Sequence, residues 1–275
     1  MGSQMLSPPL FALFTGLVEA SSGLYYGPHE HPLFAAKLEA HASDLGHEAL
    51  LDYYYRLRYD DPGRIELTRL IEALLVHETY FFRELEPLQE LVEGHLAHLV
   101  TSHGRARVWS AACSTGEEAY TLAMLLDARG MLDRVEIVAS DLSATAIATA
   151  RSGCHTPRAL RPGHPVELAR RYLEVGPAGV TVAPRLRDAV AFQTLDLFDA
   201  DAIAALGQFD VILCRNVLIY FRDAYIPRVL HALAGALSPG GLIAVGISES
   251  LIRFHTTLVC EERGRAFFYR NAGPR

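Results

Sequence analysis

Tryptophan occurs once and cysteine only four times among the 275 residues. Cys113, Cys154, Cys214 and Cys260 form no C-x-x-C pair, so neither a disulfide framework nor a thiolate zinc site is written into the chain, and four reduced thiols are expected. The 12 histidines include the close pairs His29/His31 and His95/His98. Neither pair has a Cys or acidic partner at a ligand spacing, so no metal site is expected. No apolar run approaches the ~20 residues that span a bilayer, and no charged-apolar-small leader opens the chain. A cytoplasmic protein that is not membrane-inserted is expected. There is no basic excess either, with 25 Lys and Arg against 32 Asp and Glu for a net charge of −7, which disfavours a generic nucleic-acid binder. The G-x-G-x-x-G fingerprint is missing as well, which argues against a dinucleotide-dependent dehydrogenase.

What is present is a folded, half-hydrophobic chain long enough for one large or two ordinary domains. Leu6, Leu10, Leu13, Phe14, Leu17 and Val18 form a helical face, broken at Gly23 and Gly27–Pro28. Further helices are predicted over 31–45, around Leu50–Leu57 and over 65–76, with a turn at Asp60–Asp61–Pro62–Gly63. No strand pattern occurs before residue 105. Thereafter β-branched runs at 107–112, 135–140, 190–195, 209–214 and 242–245 alternate with helical stretches, one of them capped by Ser143. That alternation predicts an α/β fold built on a parallel, Rossmann-like doubly wound sheet. Residues 155–189 interrupt it with prolines at 157, 162, 165, 177 and 184, the mark of an inserted β-subdomain with a hairpin at Gly176–Gly179. Residues 256–262 and 265–270 predict an antiparallel C-terminal hairpin about Gly264. The expected organisation is a helical N-terminal domain with linker over 1–88 and a sheet domain over 89–275.

Ligands of such sheets bind at the carboxyl ends of the strands. The first strand is followed by Ala112–Cys113–Ser114–Thr115–Gly116–Glu117–Glu118, a loop that opens a helix. Two glutamates there repel phosphate and favour a cationic or zwitterionic ligand. S-adenosylmethionine, with a sulfonium, an ammonium and no phosphate, meets that requirement. Asp141 at the next strand end suits ribose hydroxyls, and Asp196 after the third suits an adenine amino group, although an aspartate capping a helix reads the same way. Arg215–Asn216–Val217–Leu218–Ile219–Tyr220 follows the fourth strand, as either a binding rim or a helix cap over core. Arg83 joins the two domains, either at the site or in a surface ion pair with Glu84 or Glu86.

At these residues the chain resembles the CheR-type chemotaxis receptor methyltransferases, S-adenosylmethionine-dependent protein-glutamate O-methyltransferases. The matching motifs are His77–Glu78–Thr79–Tyr80–Phe81–Phe82–Arg83–Glu84 and Trp109–Ser110–Ala111–Ala112–Cys113–Ser114–Thr115–Gly116–Glu117–Glu118. To these add Ala139–Ser140–Asp141, Ala150–Arg151–Ser152–Gly153, Cys214–Arg215–Asn216–Val217–Leu218–Ile219–Tyr220–Phe221, Leu237–Ser238–Pro239–Gly240–Gly241 and Ser248–Glu249–Ser250. They fall in family order over roughly 65–270.

The resemblance implies a cofactor site lined by His77, Thr79, Arg83, Glu117, Asp141, Asp196, Leu197, Arg215 and Asn216. Arg83 and Tyr220 are implied as the catalytic residues and S-adenosylhomocysteine as the product. The implied partner is the cytoplasmic helical bundle of a chemoreceptor. His77 stands where the family has Asn. The hairpin Glu174–Val180 is compact, like that of members that do not dock a receptor's C-terminal peptide. The helix that is basic in receptor-binding members reads His31-Pro-Leu-Phe-Ala-Ala-Lys37-Leu-Glu39-Ala-His41 here, so its attraction to an acidic bundle is expected to be small. A methyltransferase acting on another acceptor and a cofactor-binding regulatory module without turnover are the alternatives.

Overall fold

The computed structural model describes residues 6–254 and 256–272. The chain divides into two compact units, Met1–Val76 with Tyr220–Tyr225, and His77–Ile219 with Ile226–Arg275.

The first unit holds four helices, α1 (Pro8–Ser22), α2 (His31–Asp44), α3 (Leu50–Tyr59) and α4 (Ile65–Leu74). Their apolar faces meet in a core that includes Phe14, Phe34, Leu38, Tyr53, Leu67, Leu70 and Leu74. Each such side chain contributes roughly 1.5–3 kcal/mol on burial. The expected turn before α4 does more than reverse the chain. Asp61 reaches across it, and its two carboxylate oxygens accept the N–H groups of Glu66 (3.1 Å) and Leu67 (2.8 Å). At the other end of α4, Lys37 Nζ donates to the carbonyls of Leu74 (3.0 Å) and Leu75 (2.7 Å), and Tyr26 Oη donates to Leu74 (2.8 Å). Both ends of the helix are thereby supplied with partners that its own backbone cannot provide. Leu24 makes an isolated antiparallel bridge with Phe221, and Tyr25 N–H donates to the Tyr220 carbonyl at 2.9 Å. This is strand-like pairing that the pattern before residue 105 did not show.

The second unit opens with α5 (Leu85–Glu90), a π-helical stretch at Leu91–Leu96 and α6 (Ala97–His103). Then come β1 (Ala106–Ala111), α7 (Glu117–Ala128), β2 (Val135–Asp141) and α8 (Ala144–Ser152). The insertion follows as β3 (Cys154–His155), α9 (Val166–Tyr172), β4 (Leu173–Gly176), β5 (Gly179–Val182) and α10 (Pro184–Asp188). The chain closes with β6 (Val190–Thr194), α11 (Ala200–Ala205), β7 (Phe209–Leu213), α12 (Ile226–Gly235), β8 (Leu237–Ala244), β9 (Leu258–Arg263) and β10 (Ala266–Asn271).

Seven strands form one sheet in the order β6-β2-β1-β7-β8-β10-β9. The first five run parallel, and β10 is antiparallel to both β8 and β9. This is the doubly wound sheet with a terminal hairpin that the sequence predicts. The insertion makes its own three-stranded antiparallel sheet, β3-β5-β4. One strand starts earlier than its composition suggests. β8 begins at Leu237 rather than Leu242, because Leu237 pairs with Phe209 before the register shifts and Leu242 pairs with Val211. The turn-like Ser238–Pro239–Gly240–Gly241 is that irregularity. Trp109 lies at the centre of the sheet, fully buried, with its indole N–H on Ser140 Oγ at 2.9 Å across the β1–β2 pair.

Asp61→Ala removes both side-chain acceptors at the start of α4 and is expected to lower stability by about 1 kcal/mol, with Asp61→Asn costing less. Urea unfolding of the three proteins measures the difference.

Candidate functional site

β1 connects to β2 on one side of the sheet, whereas its other neighbour β7 leads to β8 on the opposite side. The loops leaving the carboxyl ends of β1 and β7 therefore diverge, and a crevice opens between them at the switch point. The backbone is strained there. Of six non-glycine residues with positive φ among the described residues, five lie in this region: Phe82, Glu84, Ala112, Ser114 and Asn216. Such conformations persist only where surrounding contacts over-determine them. Gly116 adds a φ of 93°, and a Cβ on it would sit 2.9 Å from Ala150 Cβ and 3.0 Å from the Phe192 ring. Only glycine allows the loop to turn into α7 at this point.

The contact that over-determines the region is Arg215. Its side chain is 2% exposed. One terminal nitrogen donates to Glu118 (2.9 Å), and the other to the carbonyls of Arg83 and Glu84 and to the Glu84 carboxylate, each at 3.0 Å. Glu84 in turn accepts from Asn216 Nδ2 (3.1 Å) and Ile247 N–H (3.1 Å). Burial favours the neutral form of Glu84, but the Asn216 bond, the Arg215 charge and the Ile247 N–H outweigh it and hold the carboxyl below the ordinary glutamate range. Glu249 secures the other side. It accepts the N–H groups of Asn216 and Gly246, both at 2.7 Å, and of Ile219 at 3.3 Å. Burial pushes its carboxyl above the usual value against those bonds.

Glu117 and Asp141 occupy the two strand ends on the β2 side. Asp141 is 8% exposed, and its oxygens accept Ser114 N–H (2.7 Å) and Ser143 N–H (2.9 Å). Glu117 accepts Thr115 Oγ1 (2.7 Å) and faces His155 Nδ1 (3.1 Å). Among the described residues neither carboxylate has an Arg or Lys within ion-pair distance, in contrast to Glu84 and Glu118. Each oxygen keeps a lone pair free for a further donor.

The remaining expected residues join this frame to different degrees. Leu195 N–H donates to the Asp141 carbonyl at 2.9 Å, which brings the β6 end beside the β2 end. There Asp196 Oδ1 accepts Phe198 N–H at 2.8 Å, burial pushes its carboxyl above the aspartate range, and Leu197 is buried. His77 is exposed, with Nδ1 3.3 Å from Ser114 Oγ, and Thr79 lies two residues on in the same irregular segment, half-buried. Arg83 pairs with neither Glu84 nor Glu86. Glu84 belongs to Arg215 and Glu86 to Arg265 (3.3 Å), while Arg83 Nη1 donates to the Glu78 carbonyl (2.6 Å). Among the described residues no carboxylate neutralises it. Arg215 and Asn216 reach the region with their donors directed to protein acceptors. Tyr220 groups with the helical unit, where its carbonyl takes the Tyr25 N–H.

Glu84, Glu118, Glu249 and His155 were not among the expected site residues, although Glu118 was read as one of the two loop glutamates and Glu84 as an ion-pair partner of Arg83. One signal was available for Glu118. Successive residues on a helix point ~100° apart, so Glu117 and Glu118 cannot face one ligand together. Cys113 and Cys214 flank the loops, and burial drives both thiols well above their normal range. Among the described residues no group of three or more His, Cys, Asp or Glu could hold a metal ion.

A doubly wound sheet with an antiparallel terminal hairpin, carboxylates in place of a phosphate cradle and a helical first unit define an S-adenosylmethionine-dependent methyltransferase. A family model described as CheR methyltransferase, SAM binding domain, matches residues 77–265, and the chain belongs to that family. Chemotaxis protein methyltransferase 1 of Pseudomonas aeruginosa is 34% identical over 250 residues, covering 88% of this chain and 90% of that protein. Chemotaxis protein methyltransferase Cher2 of Pseudomonas putida is 31% identical over 250 residues, with the same two coverages of 88% and 90%. Chemotaxis protein methyltransferase 2 of Vibrio cholerae is 35% identical over 213 residues, 75% of this chain and 73% of that protein. The donor set suits the cofactor: buried acceptors with no Arg or Lys partner among the described residues match a ligand bearing an ammonium and hydroxyl groups.

Arg215→Met removes the guanidinium shared by two partly buried carboxylates, Glu84 and Glu118, and is expected to cost about 2 kcal/mol at pH 7, read from urea unfolding. Because Glu84 is held below the ordinary glutamate value, its contribution is complete above that value and is lost as pH falls through its own lowered one. The gap between wild type and variant should therefore narrow only on the acid side of the ordinary glutamate range.

Proposed function

We propose that the chain methylates glutamate side-chain carboxylates of chemoreceptor proteins, forming glutamate methyl esters and S-adenosylhomocysteine. The observation that carries the cofactor assignment is the pair of buried carboxylates, Glu117 and Asp141, with no Arg or Lys partner among the described residues. The acceptor is proposed from the kinship with chemotaxis protein methyltransferases.

His77, Thr79, Arg83, Glu117, Asp141, Asp196, Leu197, Arg215 and Asn216 are proposed to line the cofactor site. When bound, S-adenosylmethionine supplies a methyl group on a positively charged sulfur. Glu117 offers a carboxylate to the ammonium, which donates hydrogen bonds where a sulfonium cannot. Asp141 offers acceptors to ribose hydroxyls, and Asp196 to the adenine amino group. Arg215 acts through Glu84 and Glu118, shaping the site. Arg83 and Tyr220 are proposed as catalytic on the motifs that carry them, and Arg83, with no acidic partner among the described residues, can orient a carboxylate. The acceptor glutamate, with a pKa near ~4.3, is already ionised at neutral pH. No residue need act as a general base, and the protein's contribution is alignment and exclusion of water.

Residues 1–88 are proposed as the acceptor-facing domain and 89–275 as the methyl-transfer domain, operating in the cytoplasm. No helix among the described residues is long and apolar enough to cross a membrane. Docking of a receptor's C-terminal peptide is not part of the proposal. A second reading keeps the chemistry and changes the protein acceptor. It is favoured by Lys37, the one lysine of α2, whose ammonium is engaged with the α4 carbonyls and is lowered in pKa by burial.

Incubation with tritiated S-adenosylmethionine and chemoreceptor cytoplasmic fragments should give alkali-labile, protein-bound label; label on nitrogen or on a small molecule rejects the carboxyl reading. Arg83→Ala should lower transfer about 100-fold with an unchanged unfolding midpoint, and an undiminished rate removes Arg83 from catalysis.

A further inference from the structure

Glu117 is held by two groups of different origin. Thr115 is two residues away on the same loop, whereas His155 comes from β3 of the inserted sheet, 38 residues on. The Glu117 and His155 side chains are only 4% and 1% exposed. The imidazole is packed between two rings. The Phe81 ring meets it edge-on with centroids 5.0 Å apart and planes at 78°, and the Tyr120 ring does so at 6.0 Å and 87°. Both neighbours are themselves tied down: Phe81 N–H donates to the Ala159 carbonyl (2.8 Å), and Tyr120 Oη to the Ala150 carbonyl (2.5 Å). The His155 backbone is pinned as well, pairing with Val180 and passing so close to Gly179 that a Cβ there would lie 2.1 Å from its carbonyl oxygen.

An ionised carboxylate only accepts hydrogen bonds, so Nδ1 carries the proton that faces Glu117. Nε2 is then left buried without a hydrogen-bond partner among the described residues. An apolar side chain would fill the slot between Phe81 and Tyr120 without that unpaired nitrogen. The feature that offsets its cost is the bond to Glu117.

We propose that His155 is a positioning residue for the cofactor: from the inserted subdomain it fixes the Glu117 carboxylate in the orientation that receives the ammonium group of S-adenosylmethionine. The inference rests on the assignment of Glu117 to that ammonium. It gives the insertion a part in cofactor recognition, because its first strand and the cofactor loop share one buried hydrogen bond. A group set in place by a locked neighbour needs no reordering when the ligand arrives.

The test compares two ligands that differ at the methionine end. S-adenosylhomocysteine carries the ammonium, and 5′-methylthioadenosine keeps the adenosine and sulfur without it. Calorimetric titration of His155→Leu, which keeps the branching of the side chain and loses the Nδ1 donor, should show S-adenosylhomocysteine weakened about tenfold and 5′-methylthioadenosine unchanged. His155→Asn, which presents an amide N–H near the Nδ1 position, should restore most of the affinity. If His155→Leu does not fold, the same difference is expected between His155→Asn and His155→Gln, whose amide lies one carbon further out. Equal weakening of both ligands, or no weakening of either, overturns the proposal. Glu117→Gln separates the two assignments. If it weakens S-adenosylhomocysteine while the His155 variants do not, the positioning role fails and the cofactor assignment stands. If Glu117→Gln has no effect, the assignment of Glu117 fails and the proposal with it.

Discussion

One buried guanidinium holds the crevice together. Arg215 is the first residue after Cys214 at the end of β7, and it bridges the start of α7 through Glu118 and the corner at Arg83–Glu84 through two carbonyls and a carboxylate. Three segments far apart in sequence are thereby fixed to one planar fork. Arginine suits this task because its donors diverge in a rigid plane and its charge is not lost at any physiological pH. A lysine would offer the same charge from a flexible stem, without the fork. The positive φ values at Phe82, Glu84 and Asn216 are explicable on these terms: backbone strain of this kind is sustained by contacts that leave no alternative.

Beside that arginine-centred frame, the two carboxylates Glu117 and Asp141 stand out. Glu84 and Glu118 have their cation within the protein, and Glu249 has three backbone N–H donors among its partners. Glu117 and Asp141 have hydrogen bonds but, among the described residues, no Arg or Lys. Buried negative charge without a counter-charge is costly, and a cationic ligand relieves that cost on binding. The net charge of −7 thus matters less as a total than in its placement, with some acids sharing an arginine in the frame and Glu117 and Asp141 having no Arg or Lys among the described residues.

The parallel sheet, its terminal hairpin and the inserted subdomain were legible in the sequence because hydrophobic alternation and proline density are local signals. So was the carboxylate-bearing loop, since Gly116 followed by Glu117 declares both a turn and a charge. The start of β8 was not, because Ser238–Pro239–Gly240–Gly241 has the composition of a turn and pairs only through a shifted register with β7. Nor was the part played by Glu84, which reads as the salt-bridge partner of its neighbour Arg83. A residue 131 positions away claims it instead.

The sequence by itself determined which class of ligand is admissible, because an acidic strand-end loop without a phosphate cradle excludes one set of cofactors and suits another. It determined the order of the elements and the family, since motif residues and their spacing are properties of the chain. Which acid is bound to which base was decided only by the tertiary structure. Ion pairs and buried hydrogen bonds form between groups brought together by folding, and neither Glu118 with Arg215 nor His155 with Glu117 has any signature in spacing. The division between acids that share a guanidinium and acids that do not follows from those pairings alone.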